Sequence, residues 1–85
     1  MNRSERIHKT LTQAFTPKTL EVIDDSHKHA GHAGARPEGE THYTVVISAA
    51  AFDSLSRVAR QRAVMDVLKP EFDSGLHALS IKATS

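Results

Sequence analysis

Residues 41–49, THYTVVISA, decide the fold because they carry the clearest strand pattern in the chain. Tyr43, Val45 and Ile47 occupy alternate positions, which predicts a strand with these three side chains on one face. Residues 19–25 also alternate and predict a second strand. The segment between the two is long, and connections of this length are usually functional or mobile. We therefore expect an antiparallel hairpin with an enlarged tip.

One helix is predicted before this hairpin in the sequence and another after it. Ile7 and Leu11 recur at helical spacing within residues 2–15, and either Asn2 or Ser4 can cap the start of that helix. The longer helical pattern covers residues 56–72.

The second helix is expected to pack both on a sheet and on another helix, since its apolar residues form two stripes. Pro70 removes one backbone donor near its end, so the last turn should kink or stop there. The first stripe is Val58, Met65, Leu68 and Phe72, and the second is Leu55, Ala59, Ala63 and Val67.

A third strand is predicted over residues 76–84, where His77, Leu79 and Ile81 alternate on one face after a break at Gly75. The order helix, strand, strand, helix and strand predicts one α/β domain over residues 1–85. Its three-stranded sheet should carry the helices on one face.

Composition excludes several classes of protein. The 85 residues have a formal net charge of +1 and include no cysteine, so a disulfide-stabilised fold is excluded and a strong electrostatic attraction to nucleic acid is not expected. No apolar run is long enough to span a membrane. We expect a soluble, cytoplasmic protein.

Histidines are concentrated between the first two strands, in a loop at residues 26–41 that contains the sequence SHKHAGHAG. The residues alone leave two interpretations open, a solvated polar loop and a metal or cluster site. A separate zinc or nickel site at His27, His29 and His32 is a further alternative, although this spacing copies no known structural zinc pattern.

Four motifs follow one another along the chain: Leu20-Glu-Val-x-Asp24-x-Ser26-x-x-His29, Gly39-Glu-Thr-His42-[Phe/Tyr], Ser56-Arg57-Val-x-Arg60-x-Arg62 and Gly75-x-His77-Ala-Leu-Ser-Ile81. In this order and at this spacing they resemble the BolA family, and the resemblance covers nearly the whole chain. Two positions depart from the family pattern. Gln61 stands where many members have histidine, and Pro70 interrupts a helix that is usually continuous.

The resemblance implies a class II KH-like fold and a partner. BolA-like proteins form complexes with monothiol glutaredoxins that hold a [2Fe-2S] cluster at the interface, with a glutaredoxin cysteine and a glutathione thiol on one iron. The matching ligands here would be His77 and one loop histidine. His29 fits by its spacing from Ser26, and His32 is the alternative because the loop is lengthened. Without cysteine, the isolated chain should hold no cluster.

The histidines outside the loop also allow plainer interpretations. His77 shares its predicted face with Leu79 and Ile81, so taken alone it could be a partly buried core residue. His8 and His42 are expected to be surface or packing residues, with a weaker expectation that His42 orients the loop.

The resemblance also implies an alternative function, since some BolA-like proteins are treated as DNA-binding transcriptional regulators of stress response and cell morphology. The candidate DNA contacts here are Arg57, Arg60 and Arg62. Positions 57 and 60 are neighbours on the helix surface and could contact phosphates, but the net charge of +1 predicts weak binding. The sequence Gly31-His-Ala-Gly34 copies the clamp of KH domains, yet it joins two strands here and not two helices.

Catalytic motifs are missing from the sequence. It contains no nucleophile elbow and no P-loop, and Asp24 and Asp25 should point to opposite sides of a strand. We therefore expect a non-enzymatic protein with no small-molecule substrate, and the resemblance implies an adaptor in iron–sulfur trafficking or in iron and redox regulation.

Overall fold

The computed structural model describes residues 2–25 and 41–85. The predicted order of helix, strand, strand, helix and strand is confirmed, except that the second helix is divided in two. The elements are α1 (Arg3–Phe15), β1 (Thr19–Asp24), β2 (His42–Ser48), a 3₁₀ turn (Ala50–Phe52), α2 (Arg57–Val67), α3 (Lys69–Asp73) and β3 (Ala78–Thr84).

The three strands form one sheet in the order β1-β2-β3. β1 and β2 pair antiparallel, as expected for a hairpin, with Val22 opposite Val45. β3 lies beside β2 in the parallel direction, with Ile81 beside Val45. A parallel neighbour needs a long crossover, and α2 and α3 supply it.

The core lies on one face of the sheet, under the helices. Val45 and Ile47 of β2 are fully buried there against Ile7 and Leu11 of α1, and Phe52 joins the same cluster. On the opposite face Val46 is 36% exposed. The predicted single-sided placement of the helices is therefore confirmed. No helix within residues 2–25 and 41–85 is long and apolar enough to cross a membrane.

The second helix is divided just before Pro70, because proline has no N–H to donate within a helix. α2 ends at Val67, and Pro70 occupies the first turn of α3, where no intrahelical partner is needed for its missing N–H. The expected kink is thus a break between two helices.

The buried face of α2 differs from the predicted first stripe. Val58 is 57% exposed and Met65 is 40% exposed, whereas Val64, which belonged to neither stripe, is fully buried with Leu68. Apolar residues occur on most sides of this helix, so periodicity alone did not select the face that packs. Contact with the sheet and with α1 selects it.

A buried ion cluster joins the start of α1 to α3. Glu71 is 8% exposed and accepts hydrogen bonds from Arg3 at 2.7 Å and from Arg6 at 3.0 Å. Arg3 also donates to the carbonyl oxygen of Glu71 and to Ser74. The hydrogen bond from Arg6, aided by the positive charges of both arginines and opposed by burial, holds the pKa of Glu71 below its ordinary value.

Candidate functional site

His77 lies in the turn that leads into β3. Its side chain is exposed, so the interpretation of His77 as a partly buried core residue is wrong. Its backbone is held, because the N–H groups of His77 and Ala78 donate to the carbonyl oxygen of Thr41 at 2.8 and 3.1 Å. The chain reaches this point through Gly75, whose φ of 128° favours glycine. An exposed imidazole on a fixed backbone can bind a metal presented from outside.

His42, the first residue of β2, lies against His77. The ring centroids are 5.3 Å apart and the ring planes are inclined at 51°. Unlike His77, His42 is buried, with 8% of its surface exposed, and its Nδ1 lies 2.9 Å from the hydroxyl oxygen of Thr41. The expected packing role of His42 is confirmed. Sequence reasoning missed Thr41, which contacts His42 through its side chain and His77 through its backbone.

The described residues on either side of positions 26–40, Asp25 and Thr41, are both hydrogen-bonded to His42. Asp25 precedes the loop, donates its N–H to the carbonyl oxygen of His42 at 2.7 Å and accepts a side-chain hydrogen bond from Thr44. Thr41 is the last residue of the predicted loop. The predicted loop ligands, His29 and the alternative His32, lie outside the described residues. A cavity of about 160 Å³ opens at these strand ends, and its walls are Asp25, His42, Tyr43, Ala78, Leu79 and Ser80.

The donors at this edge suit a metal centre that is shared with another molecule. Within residues 2–25 and 41–85, no three His, Asp or Glu side chains are grouped closely enough to hold a metal ion. A [2Fe-2S] cluster takes four ligands from its surroundings, most often thiolates, and this chain has no cysteine. The His77 imidazole fits as one nitrogen ligand of such a cluster, provided that thiolates come from a partner.

The three predicted nucleic-acid contacts have different surroundings. Arg57 and Arg62 are exposed on α2. Arg60 is half-buried, and its guanidinium donates to the carbonyl oxygens of Phe52 and Leu55 at 3.1 Å. Since these bonds connect α2 to the segment before it, Arg60 has a structural role in this fold.

A basic groove separates α2 from β3. Its volume is about 340 Å³, and the side chain of Arg60 crosses it to reach the carbonyl oxygen of Ala83 at 3.4 Å. Arg62 does not line it. Within the described part of the chain, the lining residues include three cations and no acid: Arg57, Arg60, Gln61, Ile81, Lys82, Ala83 and Thr84.

Comparisons with known proteins agree with this geometry. An uncharacterized protein encoded in the cobS 5′ region of Sinorhizobium sp is 52% identical, over 96% of this chain and 89% of that protein. The DNA-binding transcriptional regulator BolA of Escherichia coli is 35% identical, over 91% of this chain and 70% of its own length.

The similarity extends to solved structures. The BolA domain of SufE1 from Arabidopsis thaliana superposes with a TM-score of 0.88 at 44% identity, covering 99% of this chain and 92% of that domain. The model of the BolA-like protein family matches residues 11–85. With its strand order, its turn at His77 and these relatives, the chain belongs to the BolA family.

Proposed function

We propose that this protein is a non-enzymatic adaptor that joins a monothiol glutaredoxin to hold a shared [2Fe-2S] cluster, in iron–sulfur trafficking or in iron and redox regulation. The observation that carries the proposal is the exposed imidazole of His77, whose backbone N–H donates to Thr41, the last residue of the predicted histidine-rich loop. One loop histidine, His29 or His32, would be the second ligand from this chain.

The partner is required by the chemistry of the donors. Two imidazoles on one iron resemble the mixed ligation that raises the reduction potential of a cluster, while the other iron needs thiolates. Because the chain contains no cysteine, the glutaredoxin and glutathione would supply those thiolates. Such a cluster would supply one-electron redox chemistry or be cargo for transfer. This chain would bind it and exclude water from one side.

A reconstitution experiment tests this proposal. The glutaredoxin alone and its mixture with this protein are each incubated with glutathione, iron and sulfide. This protein alone is incubated with iron and sulfide, both with and without glutathione, and visible absorption and circular dichroism are recorded for every sample. We expect a spectrum in the mixture that differs from that of the glutaredoxin alone, and no stable colour with this protein alone. A stable cluster on the isolated protein, without glutathione or partner, would contradict the shared site.

DNA binding is the second candidate function. The Escherichia coli relative is described as a DNA-binding transcriptional regulator, and Arg57 and Arg62 are exposed on α2 of this chain. Two features favour the cluster proposal: the net charge is only +1, and the guanidinium of Arg60 already donates to carbonyl oxygens. Of the three predicted DNA contacts, only Arg57 and Arg62 therefore remain to displace counterions from DNA.

A salt titration separates the two functions. We expect duplex DNA to bind weakly and without sequence preference, and to dissociate near physiological salt. Arg57→Ala and Arg62→Ala should each reduce the salt slope by about one phosphate contact if those side chains touch DNA. Arg60→Ala is a poor probe because it also removes bonds within the fold. Sequence-specific binding that survives physiological salt and is lost in both variants would reverse our ranking.

A further inference from the structure

β3 is an edge strand of the sheet that the described residues form. The sheet order places β2 on one side of it, and among residues 2–25 and 41–85 no strand lies on the other. In a parallel ladder, the N–H and C=O groups of alternate residues point to opposite edges. Ala78 donates its N–H to Thr41, and Thr84 accepts from Ala49. The even-numbered residues of β3 are therefore bonded toward β2.

The odd-numbered residues of β3 consequently direct their backbone groups away from the sheet. The position of Arg60 agrees with this, since it donates from α2 to the carbonyl oxygen of Ala83. Leu79 and Ile81 precede Ala83 at the same edge. Edge strands of this kind are templates for pairing with another chain.

The basic groove lies directly along this edge. Arg57 is exposed at its α2 wall and Lys82 is exposed on β3. No acidic side chain of residues 2–25 or 41–85 lines the groove, so the charge of its described lining complements a segment that carries Asp or Glu. Its volume of about 340 Å³ is at the lower end of ligand pockets, which suits a few side chains of a bound peptide.

We propose that the free edge of β3 binds an extended acidic segment of a partner protein, which adds a fourth strand to the sheet. The backbone of the segment pairs with Leu79, Ile81 and the N–H of Ala83. Adjacent residues of a strand point to opposite faces, so one carboxylate contacts Arg57 on the helix side of the sheet and its neighbour contacts Lys82, which lies beside Val46 on the other side. This proposal is independent of the shared cluster, because it uses neither His77 nor the loop.

A peptide fits this edge better than a nucleic acid does. The backbone of β3 presents donors and acceptors in alternation, which matches another peptide backbone, whereas phosphates provide acceptors only. The groove also lacks an aromatic side chain on which a base could stack.

The test uses a synthetic octapeptide with two adjacent glutamates at its centre, one for each face of the sheet, and valine or threonine elsewhere. Binding is followed by amide chemical shifts of the whole protein in an NMR titration, with hydrogen exchange at Leu79, Ile81 and Ala83. We expect these three amides to exchange more slowly in the complex. Arg57→Gln should weaken binding about fivefold, as for partly exposed charge pairs, and Lys82→Gln should weaken it similarly.

Three controls decide the outcome: a charge variant outside the groove, an N-methylated peptide and a single-stranded oligonucleotide. Arg62→Gln removes the same charge from the same helix outside the groove and should leave the affinity unchanged. A peptide with alternate N-methylated amides keeps its charges but loses its donors, so it should not bind. The proposal is overturned if that peptide binds equally well, if Arg62→Gln matches Arg57→Gln, if no peptide binds at millimolar concentration, or if a single-stranded oligonucleotide alone perturbs the groove.

Discussion

His77→Ala is expected to remove the [2Fe-2S] spectrum that this protein and a monothiol glutaredoxin form together. Loss of an outer-shell partner of a metal ligand costs about 10–100-fold in metal affinity, and loss of the ligand itself should cost more. The fold should be unaffected, because the His77 side chain is exposed and its backbone N–H still donates to Thr41. Visible circular dichroism reports the cluster, and far-ultraviolet circular dichroism reports the fold.

His8→Ala is the matched control for this variant, since His8 is an exposed histidine on α1, an element distant in the chain from the turn at His77. It should leave the cluster spectrum unchanged. If His77→Ala also leaves both spectrum and cluster affinity unchanged, ligation by His77 is excluded.

The loop variants extend the same measurement. His29→Ala should damage the cluster more than His27→Ala, because His29 has the ligand spacing from Ser26. If His32→Ala is the damaging change, the ligand lies three residues further along the loop and the shared-cluster mechanism remains.

Glu71→Ala is expected to lower the free energy of unfolding by about 3 kcal/mol, at the lower end of the range for removing one partner of a buried ion pair. The variant leaves the Arg3 side chain, which is 7% exposed, without its carboxylate. Arg6 is 40% exposed and can return to water, which moderates the loss. Urea denaturation at neutral pH measures the difference, and Glu21→Ala, at an exposed carboxylate on β1, is the control.

The pH dependence of this contribution follows from the lowered pKa of Glu71. A carboxylate whose pKa is lower in the folded than in the unfolded state stabilises fully above its ordinary value of 4.5, and the stabilisation disappears as the pH falls through the folded-state pKa. The stability difference between wild type and Glu71→Gln should therefore shrink below about pH 4.5. A difference that stays constant down to pH 2 would contradict the assignment.

Local sequence chemistry determined the elements of this fold. Alternation of apolar residues located the three strands, and Pro70 located the end of α2, because side-chain direction and the missing proline donor act over a few residues. The antiparallel pairing of β1 with β2 also followed from the sequence, because the two strands are consecutive in the chain. The absence of cysteine established that thiolates for any iron–sulfur cluster must come from another molecule.

Tertiary structure alone decided which distant residues meet. Three such contacts have no periodic signal in the sequence. They are the ring contact between His42 and His77, the hydrogen bonds from Arg60 to carbonyl oxygens, and the ion pair between Arg3 and Glu71, which are 68 residues apart. Each depends on the parallel docking of β3 beside β2 and on the face of α2 that packs against the sheet. Those choices are made by the burial of the whole apolar surface, which depends on every element together and not on the spacing within any one of them.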